Sequence, residues 1–556
     1  NPDTYIGSVE NVDQTIHILE NNKIVSKEIN YVPGLYKLFD EGIVNCRDHV
    51  IRLEQLQNDE DVHQVSHIDI TINDDGSIVM LNDGNGIDIA KHPEYDVWIP
   101  ELIFGHLRTS TNYDKKEEKI VGGKNGFGFK LVLIWSTIGS IETVDHIRKL
   151  KYSQTFKNNL DVMEKPSITK SSVKPYTKIT FTPDYQRLGM EGLTPDMINL
   201  FKRRVYDIAG ITNKNIRVKL NGNLVPVRNF QQYVDCYMGD NDVKKLHEEG
   251  NERWEYMICL SPTDEFTQVS FVNGIHTAKG GKHIDYILNQ VTRKMVAYIE
   301  KKKKITVTQS SIKEQLMLFV KCTIVNPSFD SQTKDYMNTP SNKFGSTCIV
   351  SDKFIDKLAK MGVMDSACAI TEVKDTKAAK KSDGTKSKSI RGIPKLIDAN
   401  WAGTEQSSEC TIIFCEGDSA KAGIVSGLST EDRNNMGVYP MKGKILNVRG
   451  EAIKKVMDNK EIIEIKKILG LETGKKYDEH NIKKQLRYGK VLFMTDQDLD
   501  GSHIKGLGIN LFQELWESLS TIDGFIGFMN TPILKANKGV NQRLFYNDGE
   551  YNSWKD

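Results

Sequence analysis

FDEGIVNCRDH, residues 39–49, is the stretch on which the reading of this chain turns. Phe39, Ile43 and Val44 fall at helical apolar spacing, with Cys46 able to join them. Glu41, Asn45 and Asp48 stand at i, i+4 and i+7. That spacing puts a carboxylate, an amide and a second carboxylate on one helix face. Such a stripe could orient a water and hold a divalent cation. Taken alone, the plainer reading is the solvated side of an amphipathic helix, and the neighbouring motifs have to decide between the two.

Length and composition set the frame. A chain of 556 residues exceeds one core, and about three or four domains are expected. Apolar residues make up 38% and charged residues 27%, the balance of an ordinary globular protein. The net charge of +1 excludes a uniformly basic nucleic-acid coat but leaves local basic patches open. Eight cysteines form no CxxC pair, so free thiols in a reducing compartment are expected. No apolar run reaches membrane-spanning length and no signal peptide is visible, so no membrane partner is expected. The start at Asn1, without Met, reads as a fragment or a trimmed chain.

Residues 1 to about 225 mix apolar strands with amphipathic helices and carry most of the glycine-rich loops. HIDITINDDGSIVMLNDG (67–84) predicts two strands around the turn Asp74-Asp75-Gly76, and VKPYTKITFTP (173–183) another. A second region opens near RNFQQYVD (228–235), with strands in EYMICLS and TQVSFVNGI and a long helix from His283 to Lys303. VKDTKAAKKSDGTKSKSIRG (373–392) reads by composition as an exposed linker. In the third region CTIIFC (410–415) and KVLFMT (490–495) are continuous apolar runs suited to the buried centre of a parallel sheet.

Three motifs follow the opening helix. LNDGNGI (81–87) is a strand-to-loop turn in which Gly84 and Gly86 let the backbone approach a ligand, or simply a hairpin. In RTSTNYD (108–114), Ser110, Thr111 and Asn112 could bond a ribose or phosphate, or cap a helix. In VGGKNGFGFK (121–130) the glycines 122, 123, 126 and 128 directly precede a helical run. A row of free N–H groups at a positive dipole end suits a polyphosphate. No GK[ST] follows, so it is not a Walker A loop.

Taken in order, Glu41 with Asn45, NDGNG, TSTNYD and GGKNGFGFK resemble the ATPase site of eukaryotic-type (type IIA) DNA topoisomerases. That site belongs to a wider group shared with gyrase, mismatch-repair ATPases, heat-shock chaperones and some histidine kinases. The opening NPDTYIGSVE is similar to the family's start. The resemblance implies that Glu41 is the general base for the attacking water and that Asn45 binds the Mg²⁺ bridging the phosphates of ATP. It places Asn82 at the adenine, where gyrase-type members carry Asp, and Ser110, Thr111 and Asn112 at the ribose and phosphates. The loop of Gly122, Gly123, Lys124, Asn125, Gly126, Phe127, Gly128, Phe129 and Lys130 would wrap the triphosphate. Phosphoryl transfer is mostly positioning and charge stabilisation, which this donor set suits.

NPSFDSQTKDYMN (326–338) holds Gln332-Thr333-Lys334, which as bare sequence is a polar loop. By the same resemblance this loop reaches from the transducer domain into the ATP site, where Gln332 and Lys334 would touch the γ-phosphate. Lys301, Lys302, Lys303 and Lys304 end a helical pattern. They are either a solvated terminus or, as in the family, a lysine-rich loop facing the DNA cavity, where binding would be salt-dependent.

The third region places Glu416 just past one apolar strand, in CEGDSAK, and Asp496, Asp498 and Asp500 just past another, in TDQDLDG. Open parallel sheets bind ligands at these ends. Four acids there require a cation between them, and oxygen-rich clusters prefer Mg²⁺. DxDxD alone could be a calcium-like loop or a charged turn; paired with EGDSAK it resembles the TOPRIM fold of topoisomerases and primases. On that resemblance Glu416 is a metal ligand and a possible general acid or base, Asp496 and Asp498 are metal ligands, and Asp500 supports them. YPMKGKILNVRG (439–450) is similar to the family's PLRGKILNVREA, which points Lys442 and Lys444 at DNA. Lys442 stands where Arg is usual, a point charge in place of a fork.

The fold expected is multidomain α+β and α/β. It comprises a Bergerat-type ATPase sandwich (1–227), a transducer domain of the ribosomal-protein-S5-like type (228–370), a linker (371–404) and a TOPRIM parallel-sheet domain (405–556). The activity implied is that of an ATP-dependent type II topoisomerase, acting as a homodimer on double-stranded DNA. The location implied is intracellular: nuclear in a cellular eukaryote, host cytoplasm or virion if viral. The winged-helix domain that carries the family's nucleophilic tyrosine is expected to be absent, and none of the 20 tyrosines is nominated. The rivals are an ATPase of the mismatch-repair or chaperone kind, which lacks EGDSAK with DQDLDG, and a DNA clamp that binds ATP without turning it over.

Overall fold

The computed structural model describes residues 5–56, 61–106, 120–121, 128–239, 244–263, 265–529 and 531–556. They fall into two compact units, one of residues up to 302 with 307–365, the other of 303–306 with 366–556.

In the first unit the helix Pro33–Gln55 is central. Pro33 starts it, because proline lacks an N–H that the first turn could not use. Leu35, Leu38, Phe39, Ile43, Cys46, Val50 and Leu53 form its buried stripe. Phe39 stacks on Phe201 of the helix Pro195–Ile211 with ring centroids 4.2 Å apart. Beside these helices lies a mixed nine-stranded sheet. The predicted strands of 67–84 are His67–Ile72 and Ile78–Asp83, paired antiparallel, and Ile78–Asp83 pairs in turn with Tyr176–Pro183.

A five-stranded sheet follows. In it Leu316–Cys322 lies antiparallel to Trp254–Leu260 and parallel to Thr267–Val272, with the helix Lys282–Lys303 in the connection. The expected division at residues 227 and 228 falls inside this unit. One continuous apolar cluster runs from Leu38 and Phe39 through Phe230, Tyr233 and Val234 to Phe271 and Phe319 of the second sheet.

The second unit is built on four parallel strands in the order Met436–Met441, Thr411–Glu416, Lys490–Met494, Ile526–Met529. Ile412, Phe414, Val491 and Phe493 are buried in its core.

The linker expected over 371–404 is corrected by the structure. A helix, Met364–Lys380, occupies its start. Ala379, Ile393, Ala399 and Ala402 then join the core of the second unit. Lys466, fully buried, donates to the Ala379 carbonyl and to Ser382 and pairs with Asp383 at 2.9 Å. Buried Arg487 donates to the Ser387 carbonyl and pairs with Asp398. Polar composition mimicked a tether because these segments satisfy their backbone through partners distant in sequence. All eight cysteines are free thiols. Among the described residues no helix is long and apolar enough to cross a membrane.

Candidate functional site

Glu41 is not on a solvated face: it is 8% exposed, and Asp48 is 3% exposed. The helix places Lys37 one turn before Glu41, and the ammonium lies 3.0 Å from the carboxylate. Lys37 also pairs with Asp40 at 3.1 Å, and Asp40 with Arg204 at 2.7 Å. Arg204 then donates to the Gly274 carbonyl of the five-stranded-sheet region at 2.7 Å. From the loop 326–338, Lys334 brings a second ammonium to 3.4 Å from Glu41. Lys334 is itself buried, with a left-handed backbone (φ 63°).

The charges decide the state of this acid. Burial alone would raise the Glu41 carboxyl, but Lys334 and Lys37 outweigh burial and the neighbouring Asp40 and hold it below its ordinary range. Glu41 is therefore ionised at neutral pH, the form a general base needs. Burial would likewise lower Lys37, and the Glu41 and Asp40 carboxylates reverse that, keeping it charged.

Around this centre, Asn45 is half-buried one turn on from Glu41. Gly128 and Phe129 open the helix Gly128–Ile134. A Cβ at Gly128 would lie 2.3 Å from a Glu41 carboxylate oxygen, so glycine is what lets this helix start beside the acid. Lys130 is 2% exposed, and burial lowers its ammonium to about 8. Asn82 is buried at the end of Ile78–Asp83, and its amide donates to the Asp83 carbonyl. Gln332 is half-buried two residues before Lys334. Ser110, Thr111 and Asn112, and Gly122, Gly123, Lys124, Asn125, Gly126 and Phe127, lie outside the described residues.

Two features escaped the motif reading. Lys37 could have been found from its i−4 spacing to Glu41. Asp83 looks like a partner of Asn82 in the motif, yet its carboxylate is committed elsewhere. It accepts from the Ser66 and His67 N–H groups at 2.7 and 3.0 Å and pairs with Lys174 at 2.7 Å. Burial would raise it, and the bonds from His67, Lys174 and Ser66 hold it far below the usual carboxylate range.

In the second unit the strands Thr411–Glu416 and Lys490–Met494 pair directly and in parallel, so their carboxyl ends lie side by side. Glu416 ends the first strand and precedes the helix Gly417–Gly427. Asp498 caps the helix Leu499–Leu515, accepting from the Gly501 N–H at 2.7 Å. A Cβ at Gly501 would lie 1.9 Å from the Asp496 carbonyl, which explains the glycine of DLDG. Partial burial, then Asp498, Asp496 and Asp500, push the Glu416 carboxyl up, and Lys444 opposes them. Lys444 reaches Asp500 at 2.9 Å; Lys442 is exposed, its N–H donating to Glu461.

Mutual repulsion within a hard, all-oxygen donor set fits a divalent cation. The four acids do not gather as three ligand atoms within 4.8 Å. Among the described residues only His247, Glu249 and Glu255 do. Two of the three already have partners: His247 bonds Glu255 at 2.8 Å and Gln231, and Lys321 pairs with Glu255 at 2.6 Å. Lys301, Lys302 and Lys303 end their helix exposed, and exposed Lys304 follows with φ 60°.

Comparison with known proteins places these features in a family. A DNA gyrase B family model matches residues 229–388, and a Toprim domain model matches residues 411–525. DNA topoisomerase 2 of Pisum sativum is 43% identical over 568 residues, covering 100% of this chain and 38% of its own length. DNA topoisomerase 2-alpha of Homo sapiens is 42% identical over 566 residues, again covering the whole chain and 36% of its own length. The chain thus spans less than two fifths of these relatives. The crystal structure of the ATPase region of Saccharomyces cerevisiae topoisomerase II is 39% identical, with a TM-score of 0.62 over 67% of this chain and 95% of that one. The ATPase and transducer domains of Balamuthia mandrillaris DNA topoisomerase II align with a TM-score of 0.63 at 38% identity. With a buried, ionised glutamate before a glycine-opened helix, and paired acids at the ends of a parallel sheet, this chain belongs to the type II DNA topoisomerase family.

Proposed function

We propose that this chain hydrolyses ATP in its first unit and holds Mg²⁺ in its second. Together they serve an enzyme that passes one DNA duplex through a transient double-strand break in another. The observation that carries the reading is Glu41, ionised between Lys37 of its own helix and Lys334 of the loop 326–338.

Glu41 accepts the proton of the attacking water. Lys334, with Gln332, donates to the γ-phosphate, while Lys130 and the 122–130 loop cradle the remaining phosphates. Drawing Lys334 toward phosphate removes one of the two cations beside Glu41 and makes the carboxylate more basic when substrate is in place. Asn45 would hold the Mg²⁺ that offsets phosphate repulsion, Asn82 the adenine, and Ser110, Thr111 and Asn112 the ribose and phosphates. Loss of the γ-phosphate releases Lys334, so the loop 326–338 reports hydrolysis to the five-stranded sheet.

In the second unit Glu416, Asp496 and Asp498 would ligate Mg²⁺, supported by Asp500. Bound there, the cation supplies charge stabilisation for phosphodiester chemistry. Lys442, Lys444 and Lys301 to Lys304 would contact DNA phosphates. The working form on this reading is a homodimer on double-stranded DNA, in the nucleus of a cellular eukaryote or the host cytoplasm or virion of a virus.

Steady-state ATP turnover of the chain, with and without duplex DNA, tests the proposal. Turnover that Glu41→Ala abolishes is expected; turnover untouched by that substitution would refute the role of Glu41. A chain that binds ATP and never turns it over would be a clamp instead.

A further inference from the structure

Arg204, on the helix Pro195–Ile211, has no part in the chemistry above, and it is fully buried. Its donors are divided. Nε donates to Asp40 Oδ1 at 2.7 Å, and Nη2 donates to the Gly274 carbonyl at 2.7 Å. Asp40 Oδ2 takes Lys37 at 3.1 Å, and the same ammonium lies 3.0 Å from Glu41. Lys37 is therefore shared between two buried carboxylates, and Arg204 meets part of the demand of one of them.

Gly274 belongs to the turn between the strands Thr267–Val272 and Ile275–His276. Asn273 and Gly274 both have left-handed backbones (φ 51° and 83°), the pair that a tight hairpin turn asks for. The Asn273 side chain bonds both backbone groups of Ile324. It donates to the carbonyl at 2.9 Å and accepts from the N–H at 2.8 Å. Ile324 stands just before the loop 326–338 that carries Lys334. One two-residue turn thus reaches Glu41 by two routes, through Ile324 and the loop to Lys334, and through Arg204 and Asp40 to Lys37. A bond of 3.0 Å between Arg203 and His276 holds the same hairpin to the helix.

In a low-dielectric core, a charge that loses its partner presses on its neighbours. Without Arg204, Asp40 would depend on Lys37 and hold that ammonium more fully. Glu41 would keep less of it, and burial and Asp40, which both push the Glu41 carboxyl up, would gain ground. The charged groups facing Glu41 are Lys37 and Asp40 from its own helix and Lys334 from the loop. Those facing Arg204 are Asp40 and Asp207, with the Tyr36 hydroxyl beside them.

We propose that Arg204 is a positioning residue: by tying Asp40 to the Asn273–Gly274 turn, it leaves Lys37 in place beside Glu41. The inference rests on Glu41 acting as the base. It couples the base to the five-stranded sheet, because one turn supports both Lys37 and the root of the Lys334 loop.

The test is the pH dependence of kcat for ATP turnover by the 556-residue chain, with the affinity for a non-hydrolysable ATP analogue measured alongside. Arg204→Met is expected to move the acid limb of kcat up by about one pH unit while the analogue binds as before. Asp40→Asn, which keeps an acceptor for Arg204, is expected to move the limb down, since it releases Lys37 to Glu41. Arg204→Met added to Asp40→Asn is expected to shift the limb no further. An unmoved limb in Arg204→Met, with only a lower melting point, would make Arg204 merely structural and overturn the proposal. So would an equal upward shift on the Asp40→Asn background, which would mean that Arg204 acts on Glu41 directly and not through Asp40. If Arg204→Met does not fold, Asp40→Asn decides, and a limb that does not fall overturns the proposal. Glu41→Ala, run in parallel, separates the two readings. Turnover untouched by it defeats Glu41 as the base and this inference with it; abolished turnover with an unmoved limb in Arg204→Met defeats only the role of Arg204.

Discussion

The two units treat clustered carboxylates in opposite ways. In the first, Glu41 and Asp40 are buried, and the protein supplies their counter-charges itself as Lys37, Lys334 and Arg204. In the second, partial burial and then Asp498, Asp496 and Asp500 push the Glu416 carboxyl up, against Lys444. An acid neutralised by fixed side chains stays ionised and poised, as a base must. An acid raised by its carboxylate neighbours instead gains from a divalent ion set between them. On the proposed reading, the same residue type serves proton transfer in one place and metal binding in the other.

The comparison breaks most visibly at Glu41. Glu41→Ala should lower ATP turnover by about 10²–10⁴-fold, the span of a general base, with nucleotide affinity largely kept. Initial-rate kinetics with an equilibrium binding control would show it.

Next comes the resident counter-ion. Lys37→Met leaves Asp40 and Glu41 buried with one cation fewer and should cost about 3–5 kcal/mol of stability in the first unit. Thermal unfolding followed in that unit's transition checks this; an unchanged midpoint would mean that Arg204 and Lys334 suffice.

In the second unit the expectation reverses. Asp498→Asn removes a source of repulsion, so the metal-free chain should not lose stability through charge. Stabilisation by excess divalent ion, about 2.7 kcal/mol at a hundredfold excess over Kd, should largely vanish. Calorimetry with and without Mn²⁺ distinguishes the two effects.

The smallest effect concerns Lys130, held near 8 by burial. Its folded value lies below its unfolded one, so the folded chain binds this proton less tightly. Stability from this group therefore rises as pH climbs from about 8 toward about 10.4. An arriving phosphate should pull the proton back on. Nucleotide binding near pH 8 should thus take up a fraction of a proton, read from titrations in buffers of different ionisation enthalpy, and Lys130→Met should abolish the uptake.

Much of this was legible in the sequence, for reasons that can be named. Alternation marked the strands of 67–84, and unbroken apolar runs marked Thr411–Glu416 and Lys490–Met494, because strand burial is written in local periodicity. Glu41, Asn45 and the acids of the second unit stood out because their spacing on single elements fixes their direction. Partnerships across the fold were not legible. Nothing near Asp83 in sequence announces Lys174, which lies 91 residues away. The 371–404 segment read as a tether because the buried Lys466 and Arg487 that pin it come from far downstream.

The meeting of Lys334 with Glu41 spans 293 residues of chain. During synthesis at about 5–20 residues per second, the acid would leave the ribosome roughly 15–60 s before its distant lysine. On the proposed reading, a nascent chain owns the helix and its glutamate well before it owns the finished pair, and nucleotide turnover would wait until Lys334 has been made. The order of translation would then itself act as a safety catch.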